Sequence, residues 1–254
     1  MIDIHNHILP GVDDGAKTEE DSLAMAKAAV EQGIHTIIAT PHHKNGHFDN
    51  EKASILKQVD ILRQLLSKEN VPLTLLPGQE TRIYGDMLED LKKGELLTLN
   101  NTRYIHVELP FRNVPKYTGK LLFDMQVVGY TPIIVHPERN DELVQHPEKL
   151  YEFVTQGVLT QVTADAVIGR FGKQSQRFTH QLIDANLTHF IASDAHNTTT
   201  RGFRLAEAHQ TVKEIFGNEL FYLFLENGQL LVEDKHVNKL EPQRIKKKKF
   251  LGLF

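Results

Sequence analysis

Histidines and carboxylates in this 254-residue chain recur where short apolar runs end, in spacings that suit metal ions. His5 and His7 alternate in an extended segment, which points both rings to one side. Asp13 and Asp14 follow ahead of Gly15, and later come Thr40-Pro41-His42-His43, Pro77-Gly78-Gln79-Glu80, Val107-Glu108-Leu109-Pro110, His136-Pro137-Glu138-Arg139 and Ser193-Asp194-Ala195-His196-Asn197. The chain holds 14 histidines and no cysteine, so thiolate nucleophiles and thiolate ligands are excluded and any metal must be held by nitrogen and oxygen. His5, His7, Asp14, His42, Glu80, Glu108, His136, Asp194 and His196 are the candidate ligands, too many for one ion. Carboxylates gathered in one cleft repel unless cations neutralise them. Two or three ions are therefore implied, and imidazole with carboxylate suits Mn, Fe or Zn. Such a cluster lowers the pKa of bound water and clamps the oxygens of an in-line displacement, which points to phosphoester hydrolysis.

Each residue alone says little. A lone histidine is more often packed or solvated than ligating, and that is the expectation for His35, His106, His146, His180, His189, His209 and His236. The weight comes from joint occurrence at strand ends. Apolar runs rich in Ile, Val and Thr at 1–4, 35–40, 73–77, 103–108, 132–135, 159–163 and 188–192 read as strands. Helical periodicity marks 18–32, 50–68, 115–129, 141–156, 173–185 and 204–216, with Glu19-Glu20-Asp21 at a helix start and Gly33 at its stop. This alternation predicts an α/β fold with a parallel sheet, either open or closed into a TIM-like barrel of seven units, and in both the C-terminal strand ends share one mouth.

A 40% apolar composition supports one large core, expected over residues 1–233. With 29 basic and 33 acidic residues, net −4, nothing global favours nucleic acid. No uncharged apolar run reaches about 18 residues and no signal-peptide pattern opens the chain, so a cytoplasmic location is expected. Residues 234–254 read as a polar linker and a basic tail, with Arg244 and Lys246 to Lys249 ahead of Phe250, Leu251, Leu253 and Phe254. A solvated flexible end is the plain expectation. Weak contact of residues 244–254 with the anionic inner membrane face is the other, at about 1 kcal/mol per basic residue.

The motifs His5-x-His7, Thr40-Pro41-His42, Gly78-Gln79-Glu80, His136-Pro137-Glu138-Arg139 and Ser193-Asp194-Ala195-His196 resemble the polymerase and histidinol phosphatase (PHP) superfamily. More narrowly, the run from Asp3 to Gly15, the run from Gly78 to Gly85 and Phe171-Gly172-Lys173 resemble the tyrosine-protein phosphatases of Gram-positive capsule and exopolysaccharide clusters. The resemblance implies a distorted (β/α)7 barrel with a three-ion, usually manganese centre that dephosphorylates phosphotyrosyl proteins, among them a bacterial tyrosine kinase. It assigns His5, His7, Glu80 and Asp194 to one ion, Glu80, Glu108 and His136 to a second, and Asp14, His42 and His196 to the third. Asp13 and His43 stay open as alternatives to Asp14 and His42, being neighbours of the same type. A metal-activated hydroxide is the expected nucleophile. Arg139 and Arg201 are the candidates for holding the phosphate oxygens, since a planar guanidinium binds them in pairs. For Arg82 a salt bridge is expected instead. Tyr84, Phe111, Tyr117 and Phe171 are rim aromatics that either meet a substrate ring or pack. The alternatives are a small-molecule phosphatase of the histidinol phosphatase kind and a non-enzymatic kinase-binding module.

Overall fold

The computed structural model describes residues 1–245; the expectations for residues 246–254 lie outside the described residues. The strand segments are β1 (Ile2–Asn6), β2 (Thr36–Ala39), β3 (His42–His43), β4 (Thr74–Pro77), β5 (Glu80–Arg82), β6 (Tyr104–Glu108), β7 (Thr131–Val135), β8 (Leu159–Thr163) and β9 (Phe190–Ala192). They pair in parallel as β1-β2-β4 and β3-β5-β6-β7-β8-β9. Each of the seven expected strands is present, and two of them resume after a break as short further strands, β3 and β5. β2 and β3 are one run interrupted at Thr40-Pro41, where proline has no N–H for the ladder. β4 and β5 are interrupted at Gly78-Gln79, and a Cβ on Gly78 would lie 2.7 Å from Cγ2 of Ile38. The breaks hand the chain from one sheet to the other. On the far side the sheets meet at a single parallel bridge, Asn6 to Ala195, so the barrel is distorted and its ladder discontinuous.

The helices are α1 (Glu19–Glu31), α2 (Lys52–Lys68), α3 (Met87–Lys93), α4 (Thr118–Val127), α5 (Asp141–Gln145), α6 (Pro147–Thr155), α7 (Ala164–Val167), α8 (Lys173–Asp184), α9 (Leu205–Phe216) and α10 (Asn218–Val232). α1 starts in a capping box, with Thr18 accepting from the Asp21 amide and the Asp21 carboxylate accepting from the Thr18 amide. The single helix expected over 141–156 is two, because the residue before a proline is driven out of helical geometry and His146 sits at φ −127°, ψ 65° ahead of Pro147. α10 is not among the helices expected from periodicity, because Phe221, Tyr222, Leu223, Phe224 and Leu225 form a continuous apolar run with no single stripe.

Ile4, Ile38, Tyr104, Ile133, Leu159 and Phe190 form one buried cluster with Leu99, Leu231 and Val237. A larger cluster joins the other strand faces to the helices. Each such side chain contributes roughly 1.5–3 kcal/mol by leaving water. After Ile4 the β1–β2 register shifts between Asp3 and Asn6. The next residue, His5, reaches Gln161 on β8 with its ring. Residues 234–245, expected from their polarity to be a linker, lie along the barrel. The Tyr104 hydroxyl donates to the Lys235 carbonyl, Asn227 and Asn238 bond each other, and the Gln243 amide donates to the Ala185 carbonyl.

Burial of His189 at the same end has a consequence for pH. Its ring is buried, Nδ1 accepts from the Thr160 amide at 3.1 Å, and burial, aided by Lys239, pushes its pKa down to about 3. In the unfolded chain the ring takes a proton near pH 6.5, whereas the folded ring stays neutral until about pH 3. Stability is therefore full above pH 6.5 and falls as pH drops toward 3, by about 2 kcal/mol at pH 5 from this residue. Urea midpoints at pH 7 and pH 5 are expected to diverge less in His189→Asn, whose Oδ1 replaces the acceptor without titrating; an unchanged divergence contradicts this account.

Candidate metal centre and phosphate site

All nine candidate ligands converge at the C-terminal mouth of the strands in one network centred on Glu80. One oxygen of Glu80 lies 3.4 Å from His5 Nε2, 3.5 Å from His7 Nε2 and 2.7 Å from His42 Nδ1, and the other meets His136 Nε2 at 2.8 Å. Asp194 Oδ1 faces His5 and His7 at 3.7 and 3.4 Å, and Asp14 Oδ1 faces His42 and His196 at 3.5 and 3.3 Å. Three groups have donor atoms close enough to share an ion: His5, His7 and Glu80; His42, Glu80 and Glu108; and His7, Asp14, His42 and His196. His136 stands next to the second group through its contact with Glu80.

The loop after β1 separates the paired alternatives. Gly15 packs so closely on His7 that a Cβ would lie 2.0 Å from the His7 carbonyl oxygen, and the Ala16 amide donates to that oxygen. This turns Asp13 inward behind the ring: its carboxylate accepts from His7 Nδ1 at 2.7 Å and from the amides of Gly15 and His42. Asp14 faces the cluster, and Asp13 orients it. His42 likewise faces the cluster, while His43 pairs with Asp49. Asp13 and Gln161 perform one task. Each occupies the Nδ1 of a histidine and leaves Nε2 aimed at the carboxylates. Nothing in a single sequence distinguishes Gln161 from any other strand residue.

Asp194 and His136 hold left-handed backbone at φ 52° and 35°, a costly state for residues other than glycine. Asp194 is fixed there by Asp3, which accepts from both the amide and hydroxyl of Ser193, and by its own amide donating to the His5 carbonyl. His106, expected to pack, is buried beside His5 with ring centres 4.9 Å apart, and neither of its ring nitrogens has a hydrogen-bond partner.

The charges explain what the network can hold. Burial would lower His7 and His42, yet Asp13 beside the first and Glu80 beside the second raise both to about 9. Burial lowers His136 to about 4, and burial with the neighbouring His7 lowers His196 to about 4. Burial and the Glu80 charge push Glu108 up to about 7. His5 Nε2, His7 Nε2 and His196 Nε2 are buried without a hydrogen-bond partner and converge beside the Glu80, Asp194 and Asp14 carboxylates. That is the pattern of a donor set built for cations, which take the place of protons among imidazoles and carboxylates.

Arg139 and Arg201 border the network. Both donate to Asp194 Oδ2, at 2.6 and 3.0 Å, and Arg201 approaches Asp14 at 3.7 Å. They are ion-paired, and they also line an open cavity with Phe111 and Phe171. Arg82 is committed to a two-bond pair with Glu108, at 2.9 and 2.8 Å. Tyr84 donates to Asp90 and Tyr117 reaches the Ile83 carbonyl.

A match to the capsular polysaccharide synthesis family CpsB/CapC covers residues 1–233, and the chain belongs to that family. It is 50% identical over 254 residues, the whole of both chains, to tyrosine-protein phosphatase YwqE of Bacillus subtilis. It is also 34% identical to tyrosine-protein phosphatase CpsB of Streptococcus agalactiae, over 93% of this chain and 100% of that one. A crystal structure from work on YwqE of B. subtilis and CpsB of Streptococcus pneumoniae, described as metal-dependent tyrosine phosphatases, superposes with a TM-score of 0.95 at 50% identity, covering 97% of this chain and 100% of the other. Among the described residues no helix is long and apolar enough to cross a membrane.

Proposed function

We propose that the chain is a metal-dependent protein-tyrosine phosphatase acting in the cytoplasm on phosphotyrosyl proteins, a bacterial tyrosine kinase among them. The observation that carries this reading is the convergence of unpartnered buried imidazole nitrogens on the Glu80, Asp194 and Asp14 carboxylates beside Arg139 and Arg201, in a chain half identical throughout to YwqE. In this reading His5, His7, Glu80 and Asp194 hold one ion, Glu80, Glu108 and His136 a second, and Asp14, His42 and His196 a third. Manganese is the expected metal. Bound there, metal supplies water of lowered pKa and offsets the negative charge of the phosphate.

The protein's own groups do the rest. Asp13 and Gln161 hold the rings of His7 and His5 in a fixed tautomer. Arg139 and Arg201 present guanidinium groups to the phosphate oxygens, where negative charge is shared in the transition state. Tyrosine leaves as a phenolate whose conjugate acid has a pKa near 10, so the reaction proceeds without a strong general acid. Absence of cysteine closes the phosphocysteine route.

The test is to strip the purified protein with chelator, return Mn, Fe or Zn separately, and compare turnover of a phosphotyrosyl kinase peptide with that of histidinol phosphate. Loss on chelation, recovery with Mn and preference for the peptide are expected. Preference for histidinol phosphate overturns the substrate assignment, and failure of every metal to restore turnover while the kinase still binds favours a binding module.

A further inference from the structure

Beside the network, Arg139 and Arg201 share a cavity of about 600 Å³ with Phe111, Phe171, Phe178 and Val144. Phe111 and Phe171 remain 46% and 41% exposed, so they contribute little to the core and leave ring surface toward solvent. They come from different loops, one following β6 and one following α7, and meet at the same guanidinium. The central carbon of Arg139 lies 5.1 Å from the Phe111 ring centre and 5.8 Å from that of Phe171. Phe111 is also backed by the His136 ring, 6.4 Å away and inclined by 22°. The two phenylalanines thus border the place where Arg139 and Arg201 turn from Asp194 toward the cavity.

We propose that Phe111 and Phe171 are specificity-determining residues that flank the phenyl ring of phosphotyrosine while Arg139 and Arg201 hold its phosphate. This rests on the phosphatase reading above and adds the reason for aryl over alkyl phosphates. Metal ligands and arginines act on the phosphoryl group alone and serve any monoester equally. A ring between phosphorus and the peptide backbone gains stacking area from two exposed phenylalanines, whereas the single methylene of phosphoserine gains almost none and draws the backbone down between them. The cavity is larger than one phenyl ring, and Val144 and Phe178 extend its apolar wall beyond the arginines.

Binding of non-hydrolysable ligands to the full-length, metal-loaded protein tests the proposal without relying on turnover. By calorimetry, phenylphosphonate is expected to bind more tightly than methylphosphonate. Phe111→Ala with Phe171→Ala is expected to weaken phenylphosphonate about tenfold and methylphosphonate less than threefold. Phe111→Tyr with Phe171→Tyr, which keeps both rings, is expected to restore the preference and guards against misfolding of the alanine pair. Equal loss for both ligands, no loss for either, or no preference in the unaltered protein overturns the proposal. Turnover of phosphotyrosyl and phosphoseryl peptides is measured alongside: a protein that prefers phenylphosphonate yet hydrolyses neither peptide removes the phosphatase reading and leaves the aromatic slot standing.

Discussion

Glu80→Gln is expected to lower phosphotyrosine turnover by about a thousandfold or more, the largest loss from any single carboxylate in the site. Glu80 alone touches four imidazoles, those of His5, His7, His42 and His136, and it belongs to two of the three groups able to share an ion. The amide keeps the shape and removes the charge. Metal content should fall with activity, because an uncharged oxygen cannot balance cations among so many neutral donors. The decisive measurement pairs kcat with metals counted by mass spectrometry, and circular dichroism verifies the fold. A variant that keeps full metal content and more than a tenth of the turnover would refute the central place given to Glu80.

Arg139→Ala is expected to reduce kcat/KM by about a hundred- to a thousandfold, the scale typical of removing one donor aimed at developing charge. Arg139→Lys should recover little. An ammonium restores the charge, but it lacks the planar fork and the flat face that lies against Phe111 and Phe171. Because Arg201 donates to the same Asp194 oxygen, the double variant should lose less than the product of the single losses. Kinetics of the unaltered protein, the two single alanine variants, Arg139→Lys and the double alanine variant decide the matter, and full rescue by lysine would reduce Arg139 to a point charge.

Much of this site was legible before the structure, for an identifiable reason. Parallel strands buried on both faces read as apolar runs, and the chemistry of a barrel sits where those runs stop, so His5, Glu108, His136 and Asp194 were marked by position as much as by type. Legibility failed where contacts depend on distance in the chain. Gln161 earns its place only by facing His5, 156 residues away. The duplicated Asp13-Asp14 and His42-His43 could be separated only by the path of the backbone around Gly15 and the break at Pro41. The split at Pro147 is written in the sequence, although helical periodicity continues across it and masks it. α10 was hidden by an excess of apolar residues rather than a lack of them.

The hydrogen bonds behind the histidines bear on affinity. His5, His7 and His196 have one ring nitrogen occupied, by Gln161, Asp13 and the Asp194 carbonyl, while Asp194 is held by an anchored turn. Donors immobilised by the scaffold lose little conformational entropy when a ligand arrives, unlike those of small domains that fold around their metal. In the proposed centre, selectivity among cations would rest on donors held by these hydrogen bonds, because an ion of the wrong size would have to break them.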